Sequence, residues 1–270
     1  MQELDFFVLL LHNVPGIRDK VLYKILKAIY YEGISPTRFL EFSYDVYREK
    51  FQLSHEASLA LSKYLPEHLR KTADFQEKLK NSGFSIISVF HSAYPDSLKD
   101  FLGFPPPVLY VRGNLSILNG PTFTILNSRD ADEECVEILK GADFQGVLIA
   151  GLYGPGYRYA PGCKNPRVGI SDRGVIQISK KRMQMFDVVV SFSGMDDMGT
   201  PWSMRMRDKV VVALSDKVVG GCIREGGNMF ELILEAKERG KDVCVLDRGV
   251  GGNRGLIELG VNPCKILNFA

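Results

Sequence analysis

The spacing of hydrophobic and polar residues changes character near residue 84. Before it, apolar positions recur at helical intervals. Phe6, Leu9 and Leu10 share one face, and Val21, Ile25, Leu26 and Ile29 share another after the turn NVPGIRDK. The stretch EASLALSKYLPEHLRKTADFQEKLKNSG continues the helical pattern, broken near Pro66 and ended at Gly83. From Phe84 onward, SIISVF, VLYV, TFTILNS, GVLIAG, RVGIS, DVVVSFSG, KVVGG and DVCVLD are short, β-rich runs, most of them continuously apolar. Between them DEECVEILKGA, VIQISKKRMQMF, MRMRDKVVVALS and NMFELILEAKERG carry helical spacing. Strand and helix alternate, which predicts an α/β fold: a Rossmann-like, doubly wound, mostly parallel sheet over residues 73–270, preceded by a small all-helical domain over residues 1–72.

Composition narrows this picture. A chain 45% hydrophobic and 24% charged is an ordinary globular one. No apolar run approaches the roughly 18 residues of a membrane span. The start MQELDFFVLLLHNVPG, with an acidic flank and no small-residue cleavage site, does not read as a signal peptide, so a cytoplasmic location is expected. Cys135, Cys163, Cys222, Cys244 and Cys264 are scattered without a CxxC pair, which predicts buried free thiols rather than a disulfide framework or a zinc ribbon. His12, His55, His68 and His91 all precede the expected sheet, leaving it no imidazole for acid–base or metal chemistry. Asp196 and Asp197 in GMDDMG read as a solvated loop pair. No metal, no cofactor and no catalytic constellation is expected. The net charge of +2 is small, but Arg158, Lys164, Arg167, Arg173, Lys180, Lys181 and Arg182 face a single acid, Asp172, between Leu152 and Arg182. Such a run is either a solvated basic face or a track for phosphates.

Three strand-to-helix turns can present backbone N–H groups and a helix dipole to an anion. In Asn127-Ser128-Arg129, a hydroxyl and a guanidinium follow a strand, and Arg129 is the stronger phosphate candidate. Ser128 reads equally as the N-cap of the next helix, and Asp130 and Asp132 there oppose an anion. In Glu225-Gly226-Gly227-Asn228, two glycines admit close approach and Asn228 suits an N-cap. The third, IAGLYGPGYRYAPGCK, contains Gly151, Gly154 and Gly156. It lacks the Lys-Ser/Thr of a P-loop and the third glycine of G-x-G-x-x-G, so neither ATP nor NAD is indicated. Instead Tyr153, Tyr157 and Tyr159 stand beside Arg158 and Lys164. Rings can stack on bases while cations follow the phosphates, or Tyr157 and Tyr159 can simply pack on the sheet. Trp202 is read either as core or as a base-stacking residue.

The segment YPDSLKDFLGFPPPVLYVRGN, Tyr94 to Asn114, resembles the entry segment of the DNA-processing protein A family (DprA, also called Smf), with its Tyr-Pro, proline cluster, apolar strand and Gly-Asn turn. Asn127-Ser128-Arg129 stands where the family has Gly-Ser-Arg, and Ala150-Gly151-Leu152 where it has Ser-Gly-Leu-Ala. Arg207, Asp208 and Lys209 occupy the places of its Arg-Asn-Arg. The closing pattern survives as EGGNMFELILEAKERGKDVCVLDRGVGGNRGLIELG. The loop GPGYRYAPGCKNP departs from the family, lacking its aspartate and histidine. The resemblance implies a homodimeric protein that binds single-stranded DNA and hands it to a RecA-type recombinase in DNA uptake and recombination, a binding role rather than catalysis. Ser128, Arg129, Arg158, Lys164, Arg207 and Lys209 are then the phosphate contacts. Gly151, Gly154, Gly156, Gly226 and Gly227 allow close approach of a phosphate, Asn228 binds it at a helix N-terminus, and Tyr153, Tyr157 and Tyr159 stack on bases. The alternative is a nucleotide-ligand sensor or nucleoside-phosphate hydrolase on the same scaffold, with Glu231 as its carboxylate. The turn VPGIRD also resembles the hairpin of helix-hairpin-helix modules, although Arg18 replaces a second small residue. A plain helix connection through Pro15 and Gly16 is the simpler reading.

Overall fold

The computed structural model describes residues 2–131, 133–247 and 251–264. Six helices come first: α1 (Gln2–His12), α2 (Asp19–Glu32), α3 (Pro36–Leu40), α4 (Tyr44–Glu49), α5 (His55–Ser62) and α6 (Leu65–Asn81). Ser35, Ser43 and Ser54 cap α3, α4 and α5, each hydroxyl accepting from a backbone N–H in the first turn. Pro66 lies in the first turn of α6, where its missing N–H costs nothing. Gly16, at φ +80, packs against Ser54 and Ala57 of the α5 start, so the VPGIRD turn is a helix connection closed by α5.

The sheet strands follow: β1 (Phe84–Ser88), β2 (Val108–Arg112), β3 (Thr122–Leu126), β4 (Val147–Gly151), β5 (Arg167–Ser171), β6 (Val188–Ser191), β7 (Lys217–Gly220), β8 (Asp242–Val245) and β9 (Asn262–Pro263). Between them lie α7 (Asp96–Phe101), α8 (Glu133–Gly141), α9 (Lys180–Met183), α10 (Pro201–Ala213), α11 (Asn228–Glu238) and α12 (Gly251–Glu258). The spatial order is β1-β2-β6-β5-β4-β3-β7-β8-β9, with β2 antiparallel to both its neighbours and the other described pairings parallel. From β3 the chain winds outward to β4, β5 and β6, then returns to place β7 on the other side of β3. Loops leaving β3 and β7 therefore diverge, which opens a crevice at the carboxyl ends of the strands.

Apolar positions alternate between two buried layers. Phe123, Leu148 and Ala150 face the layer shared with the N-terminal helices, whereas Val147, Ile149 and Val168 face α7, α10 and α11. The helical region and the sheet share a core: Phe75 packs on Tyr110, and the Tyr110 hydroxyl meets His12 Nδ1 at 2.7 Å. Helix α6 runs unbroken through residues 72 and 73.

Two expectations are corrected, and one open reading is narrowed. VIQISKKRMQMF is not one helix: Ile178 and Ser179 are extended, and Ser179 caps the four-residue α9. Cys244 and Cys264 form a disulfide rather than standing as free thiols, because β9 lies beside β8 and brings their Cα atoms to 4.9 Å. Trp202 is 54% exposed at the start of α10, so it is not part of the core.

Candidate nucleic-acid interface

A cavity of about 850 Å³ opens at the switch point. Its walls are the turns after β3, β4 and β7 and one face of α10, and it brings together ten of the fifteen candidate residues: Ser128, Arg129, Gly151, Tyr153, Gly154, Gly156, Arg207, Gly226, Gly227 and Asn228. Its size is that of an ordinary ligand pocket.

The turns after β3 and β7 are stitched together. Buried Asn127 accepts from the Cys222 N–H at 2.7 Å and donates to the Tyr159 hydroxyl. The Ser128 N–H donates to the Cys222 carbonyl at 3.0 Å, and its hydroxyl accepts from the Arg224 N–H at 2.8 Å. Ser128 thus joins two walls and does not cap α8, which begins at Glu133. Asp132 lies outside the described residues. In the turn after β7, Gly226 has φ +62, a conformation that disfavours a side chain, and Gly227 is the N-cap of α11. Asn228 is therefore the first helical residue rather than the cap. The α11 N-terminus has no side-chain cap and faces the cavity.

The turn after β4 is held from beneath. Arg207 is only 5% exposed. It donates from Nη1 to the Tyr153 carbonyl and to Asp172 at 3.3 Å, and from Nε and Nη2 to Asp208 at 3.0 and 2.8 Å. Four of its five N–H donors are so engaged. A Cβ on Gly151 would lie 2.9 Å from Arg207 Cδ and Nε, and one on Gly154 would lie 3.1 Å from Nη2. These glycines admit the Arg207 guanidinium, not only an incoming phosphate, and Arg207 is a positioning residue paired with two carboxylates. Burial raises the Asp208 carboxyl above the usual carboxylate range; Arg207 and Arg129 oppose the shift, while Asp172 adds to it.

Three exposed arginines supply the free positive charge: Arg129, Arg205 and Arg224 all line the cavity, and none has an ion pair among the described residues. Arg205 and Arg224 escaped the sequence reading. Arg205 lies on the α10 stripe that includes Pro201, Met204 and Asp208, a spacing that would have revealed it.

Five candidates fall elsewhere. Lys209 Nζ pairs with Glu235 at 2.8 Å, a single residue step having turned it away from the cavity. Lys164 is exposed outside the lining. Arg158 pairs with Glu133, donates to the Ala131 carbonyl at 3.2 Å, and lines a smaller hollow beside Arg129. Tyr159 is buried at 3% exposure and is no stacking platform. Tyr157 packs by Phe186, with the Arg182 guanidinium 4.2 Å from its ring centre. Tyr153 does line the cavity, but Arg173 and Arg182 stand 4.0 and 4.5 Å from its ring centre, so the protein's own cations already stack on it. Glu231 lies outside the lining, whose acids are Asp130 and Asp208. Among the described residues no group of three metal-ligating side chains occurs, and no helix is long and apolar enough to cross a membrane.

No protein-family model and no curated protein matches this chain. Solved structures do. DNA processing protein A from Streptococcus pneumoniae superposes with a TM-score of 0.73 over 96% of this chain and 94% of its own, at 16% identity. DNA processing protein A from Helicobacter pylori, described for its single-stranded DNA binding mode, gives 0.57 over 66% of this chain and 88% of its own, at 19% identity. The superposition reaches the N-terminal helices as well as the sheet, and the chain has the fold of DNA processing protein A.

Proposed function

We propose that this protein binds single-stranded DNA, with backbone phosphates seated in the switch-point cavity. The observation that carries the reading is the set of exposed arginines, Arg129, Arg205 and Arg224, which have no ion pair among the described residues, around the open N-terminus of α11. A cavity with that charge and a helix N-terminus at one wall takes phosphate oxygens. The single-stranded DNA binding described for the Helicobacter pylori protein of the same fold supports the choice of ligand. The finer role proposed is that of a homodimer passing DNA to a RecA-type recombinase during DNA uptake and recombination, in the cytoplasm and without chemistry of its own.

The test is an oligonucleotide titration across a salt series. Three phosphate contacts give a slope of about −2 in log affinity against log salt. Arg129→Ala and Arg224→Ala each weaken binding about tenfold and shallow that slope. Absence of binding by the folded protein at low salt overturns the reading. Stabilisation by free mononucleotides without oligonucleotide binding instead selects a nucleotide sensor.

A further inference from the structure

The outer surface of α2 has no part in the switch-point site, yet its chemistry is specific. Lys20, Lys24, Lys27 and Tyr31 stand at i, i+4, i+7 and i+11, one exposed stripe opposite the buried Leu22, Ile25, Leu26 and Ile29. The three lysines have no ion pair among the described residues, because the acids of α2 are engaged elsewhere. Asp19 faces His12 Nε2 at 3.4 Å, and Glu32 faces Lys50 at 2.5 Å.

Exposed rings frame the stripe. Lys20 Nζ stands 5.0 Å from the centre of the Phe104 ring, and Lys27 Nζ 5.7 Å from that of Tyr31. Tyr30 lies face to face with Phe90, the centroids 5.4 Å and the planes 6° apart. Tyr30 and Tyr31 are 68% and 73% exposed, a large apolar area to leave in water.

Topology puts this surface on the same edge as the cavity. Phe90 follows the carboxyl end of β1, and Phe104 precedes the amino end of β2, which runs against β1 and β6. Both stand at the carboxyl ends of the parallel strands. From β1 to β4 there are four strand spacings in the order β1-β2-β6-β5-β4, roughly 20 Å. Successive lysines along the stripe are about 5–6 Å apart, a row of point charges suited to successive phosphates, while the exposed Tyr30 and Tyr31 side chains can exchange their present neighbours for bases. Lysines alone would serve any anionic surface; the paired rings select an unstacked nucleic-acid strand.

We propose that this face of α2 is a second contact region for single-stranded nucleic acid, taking the part of the strand that leaves the switch-point cavity along the carboxyl edge. The inference rests on the reading above for its first contact.

The experiment compares oligothymidylates of about 6 and about 25 nucleotides by anisotropy over a salt series, with the parent, K20A/K24A/K27A, Y30A/Y31A and R129A/R224A. The parent binds the long strand more tightly than the short one. K20A/K24A/K27A loses that gain, about tenfold, and its salt slope on the long strand falls by about 2, while its short-strand affinity is unchanged. Y30A/Y31A loses about tenfold on the long strand with its slope intact. All substituted positions are exposed, so thermal midpoints stay at the parent value. Long-strand affinity and slope unchanged in both α2 variants overturn this inference and leave the cavity reading standing. Long-strand binding that needs the α2 residues but not Arg129 and Arg224 supports the α2 contact and overturns the cavity reading. A parent that binds neither length overturns both. Lysine-dependent sedimentation with phosphatidylserine vesicles, without any effect on oligonucleotides, assigns the surface to membranes instead and overturns the inference.

Discussion

Arg207 holds a turn and two carboxylates with one guanidinium. Removing it as Arg207→Met leaves Asp172 and Asp208 without their partner in a poorly hydrated place. Breaking such a pair costs about 3–5 kcal/mol, read as a lower denaturant midpoint. Asp208 has the opposite bearing on ligand binding. Its raised carboxyl lines the cavity together with Asp130 and the arginines, and when ionised it repels phosphate. As pH falls through the Asp208 pKa the carboxyl takes a proton and loses its charge, so affinity for an anion rises towards acid. Asp208→Asn is expected to bind an oligonucleotide more tightly than the parent at neutral pH and to flatten that dependence; a parent whose affinity does not rise as the solution is acidified over the range where it stays folded contradicts this. Arg129 and the strand-end glycines were legible in the sequence because a strand's end fixes where the next two residues stand. Lys209 was not, since one step along α10 rotates a side chain by about 100° and sends it to Glu235.

Among the elements, all eight strands anticipated from apolar runs are present, since a continuously apolar segment of that length is stable only with both faces covered. What failed was shorter. β9, at two residues, has no pattern to read, and missing it concealed the neighbour of Cys244. Titration of the denatured, unreduced protein is therefore expected to find three thiols, Cys135, Cys163 and Cys222, rather than five. Reduction lowers the thermal midpoint, because closing a loop of this size contributes about 3 kcal/mol in the chain-entropy account. Five thiols in freshly purified protein would rule out the bond. α9 shows the other kind of miss. The apolar spacing of VIQISKKRMQMF is helical, but Ser179 prefers to cap, and it interrupts the run.

For the whole molecule, the sequence showed two regimes of patterning and the structure shows one body of packed layers: the helices that precede the sheet bury their apolar faces on it through Phe75, Tyr110 and His12. No local signal announces that union, because it joins residues far apart in the chain. The cavity, too, is a product of winding order, which brings the ends of β3, β4 and β7 together from segments that look unrelated when read in line. Its two principal walls are tied through Asn127 and Ser128 to residues 222 and 224. Walls fastened to each other in that way are not expected to part or close as the strand enters. Stopped-flow mixing with an oligonucleotide should then give one phase whose rate rises linearly with DNA concentration and falls with salt. A plateau at high concentration would reveal a gate that the stitched walls do not provide.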